Sequence, residues 1–172
     1  MRSIRNAVAA GALGALGALV ALNASAADPR PTANGIELPK GYKDWRVIAV
    51  SDRSDNKTMR AIVGNDVAVA AARAGKTGPW PEGAVIGKIV WKRSQDPLWP
   101  SATIPGEIVH VEFMLKDTAK YASTGNWGYA RWRGMQLEPH GKDAAGAAQE
   151  CFACHGAAKG QDFVFTRPAA LP

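Results

Sequence analysis

The stretch EIVHVEFMLK, residues 107–116, alternates between two sets of side chains along its length. One face would carry Val109, Val111, Phe113 and Leu115, and the other would carry Ile108, His110, Glu112 and Met114. A period of two residues indicates a β-strand. The stretch AVIGKIVWK, residues 84–92, has the same β-favouring character and predicts a second strand.

Shorter β-favouring runs lie on both sides of these two strands, at residues 45–50, 59–63 and 127–133. One helix is predicted from a cap at Asn65 or Asp66 to Ala74, with Gly75 as its stop. A second helix is predicted over residues 143–158. Because the strands come first and the last helix comes late, we predict an α+β fold. It would consist mainly of antiparallel β-sheet with a few short helices.

The first 26 residues have the features of a secretory signal peptide. Arg2 and Arg5 precede an apolar run over residues 7–22, and Ala24-Ser25-Ala26 supplies a small-residue cleavage site. The apolar run is too short and too rich in glycine for a membrane span, which needs about 20 apolar residues. A retained N-terminal anchor is the alternative. We predict cleavage after Ala26 and export to the periplasm, leaving a single domain, residues 27–172, without a membrane span.

The net charge of the chain and its distribution indicate which classes of partner it could bind. The formal charge is +6 at pH 7, and it falls to +4 when Arg2 and Arg5 are removed with the signal peptide. The remaining basic residues are scattered and form no run or stripe, which argues against a nucleic-acid partner. An acidic redox partner or a soluble periplasmic surface fits this distribution better.

The segment Cys151-Phe152-Ala153-Cys154-His155 matches the signature of covalent haem attachment. On a helix, the two thiols project near each other and can add to both vinyl groups of one haem, and the imidazole of His155 then lies under the iron. The alternatives are a redox Cys-x-x-Cys pair or half of a zinc site. A zinc site needs a second ligand pair, and neither His110 nor His140 has the spacing for one. We predict one covalently bound haem c with His155 as the iron ligand.

The sixth coordination position of the iron would distinguish the possible functions. Electron carriers close this position with methionine or a second histidine, whereas enzymes and gas-binding proteins leave it open. The candidates to close it are Met59, Met114, Met135, His110 and His140, the last of which is in a predicted loop over residues 138–141. None of them lies in a motif that marks a ligand, so the residues alone leave the position undecided.

Three charged residues interrupt β-favouring runs. Lys88 lies between Ile86 and Val90 on one face of its strand, and Arg60 and Glu112 lie within their own runs. Each is compatible with a solvated side chain, and a lysine on an edge strand is a common protection against aggregation. Alternatively, a buried lysine loses its proton readily and becomes a nucleophilic amine that could react with a porphyrin. Arg60 and Glu112 would then supply a hydrogen-bond donor and a proton relay at an open iron site.

Several short motifs together resemble the cytochrome P-460 family and its close relative, the beta-type cytochrome c-prime. The motifs are Leu38–Tyr42 with Trp45, Arg60, Glu82-Gly83 ahead of Lys88, Phe113–Asp117, Thr124–Gly128, the haem motif and Asp162–Thr166. Each motif is modest, but their order and spacing are specific, and they extend through most of the chain after the signal peptide.

The resemblance implies a mainly antiparallel β fold, a homodimer and a five-coordinate haem with one open side. In cytochrome P-460 a lysine is bonded to a meso carbon of the porphyrin, and these enzymes oxidise hydroxylamine, chiefly to nitrous oxide by way of nitric oxide. Lys88 occupies the matching position, and Arg60 and Glu112 match a distal arginine and a distal carboxylate. We therefore predict an oxidoreductase that takes electrons from hydroxylamine and passes them to a periplasmic acceptor protein.

Two other functions remain open at this point. The beta-type cytochrome c-prime binds nitric oxide and carbon monoxide without turnover, in an apolar pocket capped by phenylalanines. Phe113 is the only phenylalanine before the haem motif, and together with Lys88 this favours the enzyme. Plain electron transfer would require a sixth protein ligand, and a body rich in strands is unlike the helical electron-transfer cytochromes.

Overall fold

The computed structural model describes residues 28–141 and 143–172. The strands are β1 (Arg46–Arg53), β2 (Thr58–Gly64), β3 (Val85–Gln95), β4 (Thr103–Lys116), β5 (Trp127–Arg133) and β6 (Glu138–Pro139). The α-helices are α1 (Asp66–Arg73) and α2 (Ala144–His155), and short 3-10 helices cover Tyr42–Asp44, Ala122–Thr124 and Gly156–Gln161. The predicted signal peptide, residues 1–26, lies outside the described residues. Within the described ranges, no helix has both the length and the apolar character to cross a membrane.

The six strands of the described chain form one antiparallel sheet in chain order, from β1 to β6. The predicted α+β class is therefore confirmed. Lys88 lies on β3, which is paired with β2 and β4, so the edge-strand interpretation of this residue is wrong. The predicted loop at residues 138–141 contains β6, whose two residues are too few to produce a periodic pattern.

Each face of the sheet packs against its own hydrophobic core. Val69 of α1 and Trp127 of β5 belong to the core on the first face, which also contacts the α2 segment. Tyr42 and Trp132 belong to the core on the second face, where both pack against Phe113 with ring centroids 5.3 and 6.0 Å apart. The ring of Phe113 is 1% exposed, which makes it a central contact of the second core.

A shared side-chain cap connects α1 to the sheet. The side-chain oxygen of Asn65 accepts hydrogen bonds from the backbone N–H groups of Ala68 and Val85, both at 3.0 Å. The first bond satisfies a free donor of the helix terminus, and the second joins that terminus to β3. Asn65 is therefore the cap, and Gly75, whose φ is +67°, follows the helix end as predicted.

The second helix carries the cysteine motif in its last two turns. Asp143 caps α2 by accepting a hydrogen bond of 2.7 Å from the N–H of Gly146. The α-helix ends at His155 and continues as the 3-10 helix Gly156–Gln161. The helix predicted over residues 143–158 is therefore confirmed as an α-helix as far as His155, and the chain continues beyond it in the tighter 3-10 form.

Because Gly87 on β3 has no side chain, the side chains of Phe113 and Val63 pack unusually close to its backbone. A Cβ atom at this position would lie 2.8 Å from Cε1 of Phe113 and 3.0 Å from Cγ2 of Val63. We expect Gly87→Ala to lower the free energy of unfolding by about 1–3 kcal/mol, because a buried ring would have to move. Urea denaturation measures the change. Gly160→Ala is the control, since a Cβ there meets nothing within 4 Å. Equal stability of the two variants would contradict the close packing at Gly87.

Candidate haem site

A cavity of about 640 Å³ lies between the sheet and the segment formed by α2 and the residues after it. We call it the central cavity. Cys151, Cys154 and His155 line it together with Lys88 and Glu112. Its volume is within the range of about 300–1,000 Å³ that is typical of cofactor and small-ligand sites.

The register of five strands builds the wall of the central cavity that faces the cysteine motif. Ala49, Ile62, Lys88, Glu112 and Arg131 are successive partners from β1 to β5, and all five line the cavity. Residues that are directly paired across a sheet project to the same face, so one row of the sheet delivers three charged side chains to one place. The flanking rows add further lining residues: Arg60, Ile86, His110, Met114 and Tyr129.

Glu112 is the centre of an ion-pair cluster. One of its carboxylate oxygens lies 2.6 Å from Nη2 of Arg131 and 3.1 Å from Nε2 of His110, and the other contacts Nζ of Lys88. The side chain of Glu112 is only 16% exposed, whereas that of Lys88 is 34% exposed. The carboxylate is therefore surrounded by groups that favour its charged form.

The pKa of Glu112 reflects two opposing effects. Burial raises the pKa, but the hydrogen bond with His110 and the positive charges of Lys88 and Arg131 lower it by more. As a result, the pKa of Glu112 lies well below the ordinary value of a glutamate, and the side chain is ionised throughout the neutral range.

This lowered pKa predicts a dependence of stability on pH. The carboxylate stabilises the fold fully above the unfolded-state value of about 4.3, and this contribution is lost as the pH falls through the lower folded-state pKa. We expect Glu112→Gln to cost about 3 kcal/mol near pH 7, because it leaves cations without their partner. The difference from the wild type should shrink below about pH 4 in denaturant titrations. A difference that stays constant on acidification would mean that Glu112 is not a stabilising ion.

His155 is held by its backbone and aromatic neighbours. Its Nδ1 atom lies 2.6 Å from the carbonyl oxygen of Phe163, so Nδ1 carries the proton and donates, and Nε2 is left as the lone-pair atom. The rings of Tyr129 and Phe165 pack at 5.1 and 5.2 Å from the imidazole. Burial lowers the pKa of His155 despite the opposing effect of the Phe163 hydrogen bond, which favours the neutral form that binds metals.

The residues of the central cavity fit a covalently attached haem. Both cysteines are free thiols, Cys151 half-buried and Cys154 exposed, and they lie on the same helix as His155. Ile62 and Ile86 supply apolar walls, as a porphyrin requires. In the described part of the chain, the hydroxyl of Tyr129 is buried in this lining without a hydrogen-bond partner. An unpaired buried hydroxyl is costly, so it is a polar group that a cofactor could satisfy.

The structure brings all six predicted site residues to the central cavity. They are Arg60, Lys88, Glu112, Cys151, Cys154 and His155. Arg60 forms no ion pair within the described residues, and burial together with the nearby charge of Arg53 lowers its pKa. The role of each residue in chemistry remains a prediction.

The five candidates for a sixth iron ligand separate into two groups. Met114 and His110 line the central cavity, but His110 is engaged with Glu112. Met59, Met135 and His140 are outside its lining. Met135 is 75% exposed, and Nε2 of His140 lies 3.5 Å from the carboxylate of Glu150.

One member of the ion-pair cluster was missed from the sequence. Arg131 lies between Ala130 and Trp132 on β5, which is the same pattern of a charge inside an apolar strand that drew attention to Lys88. The sequence therefore shows that Arg131 is a charge inside a strand. It does not show the register that pairs Arg131 with Glu112 across β4 and β5.

A comparison with protein families gives a match over most of the described chain. The family model described as Cytochrome P460 matches residues 39–166, which is most of the chain and includes the cavity-lining strands and the cysteine motif. A comparison with curated proteins found no significant match.

Proposed function

Because this chain belongs to the cytochrome P460 family, we propose that it is a periplasmic mono-haem enzyme that oxidises hydroxylamine. The family makes the chain a haem-binding cytochrome, and the two cysteines of α2 fit covalent attachment of a c-type haem. The reaction, the residues that carry it out and the periplasmic compartment are our proposal.

The observation that carries the proposal is that Lys88 and the cysteine motif share one cavity. Cys151 and Cys154 would attach the haem, and Nε2 of His155 would bind its iron. The amine of Lys88, whose side chain reaches the cavity from the middle of the sheet, would form the third attachment. Its nitrogen would replace the hydrogen of a porphyrin carbon, and the two protons and two electrons released would pass to an oxidant of the peroxide class. When bound, the haem supplies the redox-active iron that takes electrons from the substrate and releases them to an acceptor.

The other charged residues would handle protons and orient the substrate. Oxidation of hydroxylamine releases protons together with electrons, so a base is required beside the reacting nitrogen. Glu112 is the only carboxylate among the charged residues of the central row, and we assign it this role. His110 and Arg131 would hold its carboxylate in place through their bonds to Oε1. Arg60 would donate a hydrogen bond to the substrate oxygen.

The position of Phe113 supports the enzyme over a gas-binding protein. An apolar pocket capped by phenylalanine rings would suit nitric oxide or carbon monoxide without turnover. Here the ring of Phe113 packs against Tyr42 and Trp132 in the second core, and Phe165, the other phenylalanine of the cavity lining, packs against His155 at 5.2 Å. The central row of the cavity instead offers a lysine, a glutamate and an arginine.

The test is to map the haem adduct of protein matured in a periplasm. We expect a tryptic peptide containing Lys88 attached to haem, an anomalous spectrum that persists in alkaline pyridine, and hydroxylamine-dependent reduction of a dye. The intact mass should correspond to a mature chain that begins at Ala27. In size-exclusion chromatography the protein should elute as a homodimer. An ordinary pyridine spectrum with carbon monoxide binding but no dye reduction would identify a gas-binding protein. Failure of the ferrous protein to bind carbon monoxide would indicate an electron carrier.

A further inference from the structure

A buried ion pair joins the end of β4 to the segment after α2. The ammonium group of Lys116 lies 2.7 and 2.8 Å from the two carboxylate oxygens of Asp162, and these side chains are 4% and 12% exposed. The same ammonium lies 4.9 Å from the centre of the Trp127 ring. Breaking this ion pair would leave an uncompensated buried charge, which is strongly destabilising. The two side chains are therefore held in contact. All three residues lie outside the lining of the central cavity, and the proposed chemistry does not use them.

The backbone around Asp162 is held in an uncommon conformation. The φ angles of Asp162 and Phe163 are +53° and +64°, in the left-handed region that residues with a side chain rarely adopt. The backbone N–H of Trp80 donates to the Asp162 carboxylate at 2.9 Å, and the indole N–H of Trp127 donates to the Asp162 carbonyl at 2.8 Å. Strained backbone of this kind persists only where its surroundings over-determine it.

The result of this turn is the position of the Phe163 carbonyl, which accepts the hydrogen bond from Nδ1 of His155 at 2.6 Å. The Phe163 side chain is fixed as well. A Cβ atom at Gly125 would lie 2.4 Å from its ring, and the ring of Phe152 packs at 5.2 Å. Residues of three sequence motifs, 113–117, 124–128 and 162–166, therefore meet at the turn formed by Asp162 and Phe163.

We infer that Lys116 and Asp162 are positioning residues for His155. The ion pair anchors Asp162, Asp162 sets the turn, and the turn directs the Phe163 carbonyl at Nδ1. A hydrogen bond to the outer nitrogen of a metal-binding histidine fixes its tautomer and ring orientation and raises its basicity. The Lys116–Asp162 ion pair thus influences how strongly the His155 imidazole donates electron density to the iron. The inference rests on the proposed function only in taking His155 as the iron ligand.

The test compares Lys116→Met and Asp162→Asn with the wild type in the haem-loaded protein. Lys116→Met removes the charge and keeps an unbranched apolar chain. Asp162→Asn keeps an acceptor oxygen for Trp80 and tolerates the left-handed backbone. We expect the ferrous iron–histidine stretching frequency, measured by resonance Raman, to fall. The reduction potential should rise, since a weaker donor stabilises ferric iron less. A tenfold change in the relative stability of the two oxidation states corresponds to about 59 mV, and we expect a shift of that size.

The controls are Lys92→Met and Glu107→Gln, which break an exposed pair whose charged atoms lie 2.6 Å apart. Both should keep the wild-type frequency and potential. If Lys116→Met does not accumulate as folded protein, Asp162→Asn decides the question. Wild-type values in Asp162→Asn, or an equal shift in the controls, would overturn the inference. Neither measurement uses hydroxylamine, so a wild type without turnover would refute the proposed function alone. Absence of any iron–histidine band would refute both.

Discussion

Replacing Lys88 with methionine is expected to leave the haem attached through two cysteines and to return its pyridine spectrum to that of an ordinary c-type haem. Hydroxylamine-dependent dye reduction should fall at least about a hundredfold, which corresponds to about 2.7 kcal/mol in the transition state. The physical reason is that a carbon–nitrogen bond from the middle of β3 would change both the electronics and the shape of the macrocycle, and these are means by which a protein tunes a haem.

Two further variants separate the bond from the charge. Lys88→Arg keeps a cation beside Glu112, but a guanidinium is always protonated and does not act as a nucleophile. It should therefore lose activity as Lys88→Met does. Lys92→Met is the matched control, because Lys92 lies on the same strand with its side chain 63% exposed and paired with Glu107. Wild-type activity or an anomalous spectrum in Lys88→Met would show that Lys88 is not an attachment point.

The fold could be predicted from the sequence wherever a local pattern determined it. Alternation over residues 107–116 gave both faces of β4. The helix starts were placed at Asn65 or Asp66 and at Asp143, and the structure has Asn65 and Asp143 as the caps. The cysteine motif predicts covalent haem attachment because two thiols separated by two residues and followed by histidine can hold one haem and its iron. Each of these features depends on residues that are close together in the chain.

Features that depend on register could not be predicted in this way. The sequence showed that Lys88 and Glu112 were charges inside strands, but not that they are direct partners across β3 and β4. Arg131 was missed for the same reason. The Phe163 carbonyl was missed because a backbone atom leaves no mark in the sequence, and its direction depends on the left-handed turn at Asp162. Long-range pairing, rather than local propensity, decides which charges meet.

Glu112→Gln is expected to lower kcat/KM for hydroxylamine by about 10²–10⁴-fold, the usual contribution of a positioned acid or base. Glutamine has nearly the same shape, so the haem and its bond to Lys88 should be retained, which the pyridine spectrum checks first. Glu107→Gln is the control, since this carboxylate is also on β4 but is 69% exposed. Full activity in Glu112→Gln would show that water or another group accepts the protons.

The same variant tests how the ion-pair cluster becomes a base. With Lys88 charged, the pKa of Glu112 is far below neutrality, which makes the carboxylate a weak proton acceptor. Bonding of the Lys88 nitrogen to the porphyrin would remove one of the positive charges that lower this pKa, so the pKa should rise towards its ordinary range. The mature wild type should then lose kcat/KM as the pH falls through the raised pKa, because protonated Glu112 cannot accept a proton. Glu112→Gln should show no such acid limb, so an acid limb that survives in this variant would belong to a different group. The lysine bond would thus alter the haem and also complete the base beside it.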